Sequence, residues 1–232
     1  LVQVNHSLTI KSAKTSTYIS VNDHKGEMVV ALNDTKIIDF LTPDFLKTKE
    51  TIINNASAIV IDSNLNEEVL AYIFSKFKKK YIFADPVSLS KSEKFKKYLS
   101  NINVLKPNLE EAKFLFNFKS DTKNYLSEIS SSLSKVNIEK LIISLGNKGI
   151  ISYNQGEIKS IPTVKQKIIN VNGAGDALMA GLIYGHLKNW QWDYTTKFSI
   201  SMANITLQSK ETVNPILTEE IVLNFLNKNI LQ

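Results

Sequence analysis

The sequence contains no cysteine, which excludes disulfides, thiolate nucleophiles and cysteine-based zinc sites. Only three histidines occur, His6, His24 and His186, and they are too scattered to suggest a histidine-based metal site. No apolar run is long enough to span a bilayer, and the first residues do not form a signal peptide. These absences favour a cytoplasmic enzyme or binding protein that has no membrane partner.

The composition is that of one ordinary globular domain. Of the 232 residues, 43% are hydrophobic and 22% are charged, which allows one large core. The net charge is +6, but most lysines fall on predicted helix faces. We therefore expect solvated surfaces rather than a nucleic-acid partner. A positive bias also suits an anionic substrate or nucleotide.

The chain alternates between short apolar runs and amphipathic helices. Residues 17–33 predict a β-hairpin, with Gly26 at a positive φ in its turn. The predicted strands are 58–62, 81–86, 102–108 and 138–146, followed by a β-meander over 148–162. The predicted helices are 42–56, 66–80, 91–100, 109–117 and 176–188, with a last helical region near 194–208. This alternation predicts one α/β domain over residues 1–232, with a parallel sheet between helices and the hairpin as a lid.

The stretch NVNGAGDALMAGL, residues 170–182, is a glycine-rich turn that leads into a helix. It is not a P-loop, because Asp176 stands where that motif needs a lysine after Gly175. It is not a dinucleotide fingerprint either, because Leu178 occupies the place of the third glycine. A serine-hydrolase elbow is excluded by the absence of Gly-x-Ser-x-Gly. The remaining interpretation is a turn that handles an anion.

Such a turn has a clear physical basis. The backbone N–H groups of Gly173, Ala174 and Gly175 would face one point in front of a helix, where a phosphate or a developing negative charge is stabilised. Asp176 has two interpretations. It could stabilise the helix terminus by about 1 kcal/mol or less, or it could be a general base beside a transferring phosphoryl group. The local pattern leaves both open.

Other polar residues follow predicted strands. In KPNLEEA, residues 106–112, Asn108 and Glu111 form the pattern of a helix capping box. SLGNKG, residues 144–149, is a strand end followed by a glycine turn. Asp62 and Asp85 end buried strands, where α/β folds place ligands. A turn-forming Asp-Pro explains Asp85 equally well.

The stretch NGAGDALMAG resembles the C-terminal signature of the ribokinase-like (PfkB) carbohydrate kinases. This resemblance implies a three-layer α/β/α fold with a mostly parallel central sheet and a small β lid. It also implies a phosphotransferase that uses ATP and Mg²⁺ on a small-molecule nucleoside or sugar. Under the resemblance, Gly173, Ala174 and Gly175 form the anion hole, and Asp176 is the catalytic base.

The resemblance extends to the other motifs. Glu111 is expected to position Mg²⁺ through water. Asn170 stands where the family more often has an aspartate that shapes a monovalent-cation site in some members, so K⁺ remains an open expectation. From the resemblance we further expect a homodimer formed through the lid. The residues expected to contact the nucleotide are Asn108, Ser144, Gly146, Gly149 and Asn204.

The motifs recur in order over nearly the whole chain and fit a nucleoside-kinase branch of the family. The expected reaction transfers the γ-phosphate of ATP to a ribose 5′-hydroxyl. Family members begin with a strand and a glycine-rich segment that grips the sugar, and the resemblance implies that this N-terminal part is missing here. Two alternatives stay open. One is a kinase for another nucleoside or sugar, and the other is a non-catalytic nucleotide-binding or regulatory protein.

Overall fold

A computed structural model describes residues 2–22, 28–118, 125–136 and 138–230. Strands β1 (Thr17–Asn22) and β2 (Met28–Asp34) pair antiparallel in a small separate sheet. This pairing confirms the two strands of the predicted hairpin. The turn between them, with Gly26, lies outside the described residues.

Among the described residues, six further strands form the central sheet, in the same order as in the sequence. The first four run parallel, the fifth pairs antiparallel with the fourth, and the sixth pairs antiparallel with the fifth. The predicted meander therefore extends the main sheet, which is mostly parallel as expected. The strands are β3 (Ala58–Asp62), β4 (Tyr81–Asp85), β5 (Val104–Leu105), β6 (Lys140–Ser144), β7 (Ile150–Asn154) and β8 (Glu157–Ile161).

Helices connect and flank these strands. The α-helices are α1 (Pro43–Lys47), α2 (Glu50–Asn55), α3 (Glu67–Lys76), α4 (Leu89–Ser92), α5 (Leu109–Phe116), α6 (Tyr125–Leu133), α7 (Ala174–Leu187), α8 (Trp192–Leu207) and α9 (Glu219–Asn229). Over the part of the chain that the structure describes, every helix is too short or too polar to span a bilayer. Short 3₁₀ segments cover Lys36–Phe40, Glu93–Asn101 and Gly146–Lys148.

Two helix predictions are wrong in detail. The helix predicted over 42–56 is two helices, α1 and α2, although Thr42 caps the first by accepting a hydrogen bond from the Phe45 N–H at 3.3 Å. At the break, the Thr48 hydroxyl donates to the Phe45 carbonyl at 2.7 Å, and such local bonding competes with a continuing helix. The helix predicted over 91–100 is mostly a 3₁₀ helix.

The core lies on both faces of the central sheet. Side chains alternate along each strand, so Ile82 and Ala84 pack toward one face while Phe83 packs toward the other. The first face is covered by apolar residues of α3 and α5, and the second by Leu178 and Leu182 of α7. This arrangement confirms the three-layer α/β/α architecture. It also leaves the carboxyl ends of the parallel strands free at one edge.

Candidate active site

Helix α7 begins at a bare N-terminus beside that edge. Its N-cap, Gly173, has a φ of 84°, and a Cβ there would lie 2.0 Å from the Thr212 carbonyl oxygen. Both the left-handed φ and the close contact require glycine. The first helical hydrogen bond is donated by Ala177, so the N–H groups of residues 174–176 have no acceptor within the helix. No side chain in the described part of the chain caps this helix start, and it therefore presents free donors at the positive end of the helix dipole.

A cleft of about 790 Å³ runs along one side of α7 from its first turn, and three carboxylates of the described residues line it, Asp62, Asp85 and Asp176. The Asp62 oxygens accept hydrogen bonds from the backbone N–H of Asn64 at 2.9 Å and from its side-chain amide at 2.7 Å. Both oxygens of Asp62 therefore stabilise the turn after β3. A structural role in this turn is therefore enough to explain Asp62.

Asp85 is also fully engaged. One of its oxygens accepts from the backbone N–H of Val87 at 3.0 Å, and the other forms an ion pair with the Lys106 ammonium at 2.8 Å. The Lys106 side chain is 7% exposed and that of Asp85 is 20% exposed. Val87 has a φ of 63°, an unusual conformation for a β-branched residue. The loop after β4 is thus fixed around the Asp85 carboxylate.

Asp176 differs from both other carboxylates. It is exposed to the cleft, and no hydrogen-bond donor or ion-pair partner for it lies among the described residues. The pKa of Asp176 is raised above its ordinary value, first by partial burial and then by the negative charge of Asp85, with a smaller contribution from Asp62. The Lys106 ammonium opposes this rise in the pKa. Asp176 is therefore the cleft carboxylate that is free to take up a proton.

Glu111 occupies a very different environment. The Asn108 side chain accepts from the Glu111 N–H at 2.9 Å, and the Glu111 carboxylate accepts from the Asn108 N–H at 2.9 Å. This reciprocal pair is the predicted capping box of α5. Glu111 is 3% exposed, and burial raises its pKa. One carboxylate oxygen is committed to the cap, so a role toward Mg²⁺ would fall to the other.

The predicted nucleotide loop lies next to this cap. The Ser144 N–H donates to the Pro107 carbonyl at 3.0 Å, which brings Ser144 beside Asn108. Gly149 has a φ of 97°, and a Cβ there would lie 2.1 Å from a backbone oxygen of β8. Gly146 has a φ of 59° and open space around it. The fold thus brings the KPNLEEA motif (106–112) and the SLGNKG motif (144–149) together at one edge of the sheet.

Asn204 lies in α8, with its side chain engaged inside the protein. It is 1% exposed, its amide oxygen accepts from the Thr163 hydroxyl at 2.7 Å, and its amide nitrogen donates to the Ile200 carbonyl at 2.7 Å. These bonds hold the segment that leads from β8 toward α7. A direct contact between Asn204 and a nucleotide stays a prediction.

The small sheet is linked to the turn before α7. The side-chain amide of Asn172 donates to the Ser20 hydroxyl of β1 at 3.0 Å. The Asn170 side chain accepts from the Asn172 N–H at 3.0 Å and donates to the Lys210 carbonyl at 3.1 Å. The candidate lid therefore contacts the residue directly before Gly173.

Lys106 is the site residue that the motif reasoning did not single out. A Cβ on Gly175 would lie 3.5 Å from the Lys106 ammonium, so this cation is adjacent to the turn at the start of α7. The sequence offers one signal for this residue: Lys106 directly follows a buried strand, at the same edge of the sheet as Asp85. Its proximity to Gly175 depends on tertiary packing, which the sequence pattern does not show.

The donor set fits a metal that arrives with phosphate rather than a metal held by protein side chains alone. Among residues 2–22, 28–118, 125–136 and 138–230, no three His, Asp or Glu side chains gather in a metal-binding group. Mg²⁺ commonly keeps several waters and binds phosphate oxygens with one or two carboxylates. The Lys106 ammonium and the free N–H groups at the start of α7 suit the phosphate, and the Glu111 carboxylate suits the metal.

Comparison with known proteins supports the resemblance to carbohydrate kinases that the sequence motifs indicate. The pfkB family carbohydrate kinase model matches residues 2–219. Pseudouridine kinase of Escherichia coli is 32% identical over 226 residues, which cover 97% of this chain and 72% of the relative. A candidate sugar kinase from Clostridium perfringens has a TM-score of 0.83 and 34% identity, covering 97% of this chain and 71% of its own.

A more distant solved structure shares the fold. A candidate ribokinase II from Escherichia coli, in complex with ATP and Mg²⁺, has a TM-score of 0.74 and 13% identity over 88% of this chain and 68% of its own. The family match, the relative at 32% identity and the three-layer fold agree with one another. The chain belongs to the pfkB family of carbohydrate kinases, which are phosphotransferases with an alcohol group as acceptor.

Proposed function

We propose that this kinase transfers the γ-phosphate of ATP to the ribose 5′-hydroxyl of pseudouridine, giving pseudouridine 5′-phosphate and ADP. The choice of substrate is supported by the 32% identity to a pseudouridine kinase over 97% of the chain. The chemistry is carried by one observation, the free Asp176 carboxylate beside the bare N-terminus of α7. A general base and an anion site next to each other are what phosphoryl transfer needs.

In the proposed step, the acceptor hydroxyl oxygen bonds to the γ-phosphorus while the bond from that phosphorus to the ADP oxygen breaks. The hydroxyl proton moves to Asp176, and ADP leaves with the electron pair of the broken bond. The raised pKa of Asp176 makes its carboxylate a better proton acceptor than an ordinary aspartate. Asp62 and Asp85 are unsuited to this role, because their oxygens already accept hydrogen bonds.

The backbone at the start of α7 stabilises the charge on the transferring group. Gly173, Ala174 and Gly175 form the proposed anion hole, whose N–H donors are fixed in position before the substrate arrives. Such preorganised donors lower the barrier because they need no rearrangement as charge develops. The positive φ of Gly173 is what lets the chain turn sharply into this arrangement.

The nucleotide is proposed to lie along the edge that carries the capping box and the glycine turn. The contacting residues are Asn108, Ser144, Gly146 and Gly149, with Asn204 supporting the adjoining segment. Glu111 is proposed to hold Mg²⁺ through water. When bound, Mg²⁺ neutralises phosphate charge as a Lewis acid, and ATP with Mg²⁺ is present in one structural neighbour.

Three finer features belong to the same proposal. The β1–β2 sheet acts as a lid through the bond between Ser20 and Asn172, and two copies of the chain dimerise through it. K⁺ activates the enzyme near Asn170. The reaction takes place in the cytoplasm, where ATP is available.

The substrate is tested by measuring ADP formation by the full-length protein with pseudouridine, uridine, ribose and fructose. We expect kcat/KM for pseudouridine to exceed that for each other acceptor by about tenfold or more. Mass spectrometry should find one added phosphate on the ribose. Turnover with pseudouridine no greater than with ribose would reject pseudouridine and leave another nucleoside or sugar as the substrate.

A further inference from the structure

Lys106 has an unusual place for a lysine. Its backbone N–H donates to the Ala84 carbonyl at 3.1 Å, which continues the pairing between β4 and β5. Its side chain is 7% exposed, and Lys106 is the one buried lysine among the described residues. Burial of an ammonium is unfavourable unless it is paired. A buried lysine at the open edge of a parallel sheet therefore needs an explanation.

The ion pair with Asp85 explains the burial of Lys106 only in part. An ammonium has three hydrogen-bond donors, and the described residues provide one partner, the Asp85 carboxylate at 2.8 Å. The other oxygen of Asp85 is held by the Val87 N–H. Asp85 therefore fixes the position of Lys106 without saturating its donors.

The second neighbour of Lys106 is electrostatically unfavourable. The ammonium lies next to Gly175, where a Cβ would be 3.5 Å away, and Gly175 belongs to the first turn of α7. A helix N-terminus carries partial positive charge and repels a cation. Two positive groups, the free N–H donors at the start of α7 and the Lys106 ammonium, thus lie close together. An anion at this point would satisfy both.

The composition limits what else could supply positive charge there. All 28 basic residues of the sequence are lysines, and arginine is absent. Arginine is the side chain that most often clamps phosphate groups with two parallel hydrogen bonds. In this sequence lysine is the side chain that can take that role, and Lys106 is already placed beside the proposed anion hole.

From this geometry we infer that Lys106 contacts the transferring phosphoryl group and that Asp85 is its positioning residue. This inference rests on the proposed function for the identity of the anion. The ammonium binds a γ-phosphoryl oxygen, and its fixed charge stabilises the negative charge that the phosphoryl oxygens carry during transfer. The N–H groups of α7 contact the same group from the other side.

The first test measures binding without any acceptor. Isothermal titration calorimetry with Mg²⁺ compares the β,γ-imido analogue of ATP with ADP, for the parent, Lys106→Met and the surface control Lys47→Met. We expect the parent and the control to prefer the triphosphate, and Lys106→Met to lose about tenfold or more of that preference. Equal loss of affinity for both nucleotides in Lys106→Met would overturn the inference.

The second test separates a catalytic role from a structural one. Lys106→Met leaves Asp85 without its partner, so Lys106→Met/Asp85→Asn removes that unpaired charge as well. We expect the double variant to recover thermal stability, while its kcat stays about 10²–10³-fold below the parent and KM for the acceptor changes little. Recovery of kcat in the double variant would mean that Lys106 only neutralises Asp85, and would overturn the inference.

These tests distinguish the inference from the choice of substrate. If pseudouridine is not phosphorylated but Lys106→Met still loses its preference for the triphosphate, the substrate proposal fails and the role of Lys106 stands. If pseudouridine is phosphorylated with unchanged kcat by Lys106→Met, the substrate proposal stands and the role of Lys106 is rejected.

Discussion

Glu111 and Asp176 occupy the same helical position, the third residue of α5 and of α7, but only Glu111 hydrogen-bonds to the start of its own helix. The Glu111 carboxylate accepts from the Asn108 N–H at 2.9 Å, whereas Asp176 has no donor among the described residues. The N-caps explain the difference. Asn108 has an extended backbone and a capping side chain, while Gly173 has a φ of 84° and no side chain to act as a cap. One acid therefore completes a helix, and the other is left free for chemistry.

The first prediction contrasts these two acids in stability. Glu111→Ala removes a buried capping group and should lower the free energy of unfolding by about 1–2 kcal/mol. Asp176→Ala should leave it unchanged or raise it at pH 7, because the raised pKa of Asp176 shows that the folded state disfavours its charge. Urea denaturation measures both. A larger loss of stability in Asp176→Ala than in Glu111→Ala would contradict this contrast.

The second prediction concerns the pH dependence of the reaction. A general base acts when ionised, so the rate falls as the pH drops through the pKa of Asp176. Asp85 raises that pKa, and Asp85→Asn should therefore move the acidic limb of the kcat/KM profile to lower pH. Glu67→Gln, which removes a surface ion pair with Lys97, is the control and should not move it. A shift to higher pH in Asp85→Asn would be inconsistent with Asp176 as the base.

The third prediction compares two glycines that both have a positive φ. Gly146→Ala meets no atom within 4 Å and should cost only the strain of a left-handed alanine, about 1–2 kcal/mol. At Gly173 the added Cβ would also lie 2.0 Å from the Thr212 carbonyl oxygen. Gly173→Ala should therefore be less stable than Gly146→Ala and should bind the ATP analogue more weakly. Equal melting temperatures for the two variants would argue against the close contact at Gly173.

The fourth prediction addresses the lid. Ser20→Ala and Asn172→Ala each remove the hydrogen bond of 3.0 Å between β1 and the turn before α7. We expect each to raise KM for the acceptor and to increase ATP hydrolysis without acceptor, because a loosened lid admits water. The double variant should be no worse than either single variant, since both lose the same bond. Additive effects would show that the two residues act separately.

The sequence allowed much of the fold to be predicted. The parallel strands are short continuous apolar runs, such as Ala58–Asp62 and Tyr81–Asp85, a pattern typical of strands buried on both faces. Strand β4 is largely buried as expected, but β3 is the edge strand of the sheet and its Val60 is 52% exposed. The capping box of α5 follows from local residue types. The break between α1 and α2 was not predicted. It occurs where the Thr48 hydroxyl donates to the Phe45 carbonyl, and the sequence does not show whether that hydroxyl bonds to the backbone or to solvent. Helices α6 and α9 were not predicted either.

The site was only partly predictable for a related reason. The glycine turn and the acid that follows it are contiguous in sequence, so their pattern was visible. The pairing of Asp85 with Lys106 joins two neighbouring strands, and the approach of Lys106 to Gly175 joins residues far apart in the chain. Such contacts follow from strand register and helix placement, which one sequence does not specify directly.

The most direct measurement is the turnover of Asp176→Asn with pseudouridine, set beside its affinity for the non-hydrolysable ATP analogue. Asparagine keeps the size of the side chain but cannot take the hydroxyl proton. We expect kcat to fall by about 10²–10⁴-fold, while the affinity for the analogue stays within about threefold of the parent. Equal turnover in the variant and the parent would contradict the assignment of Asp176 as the base.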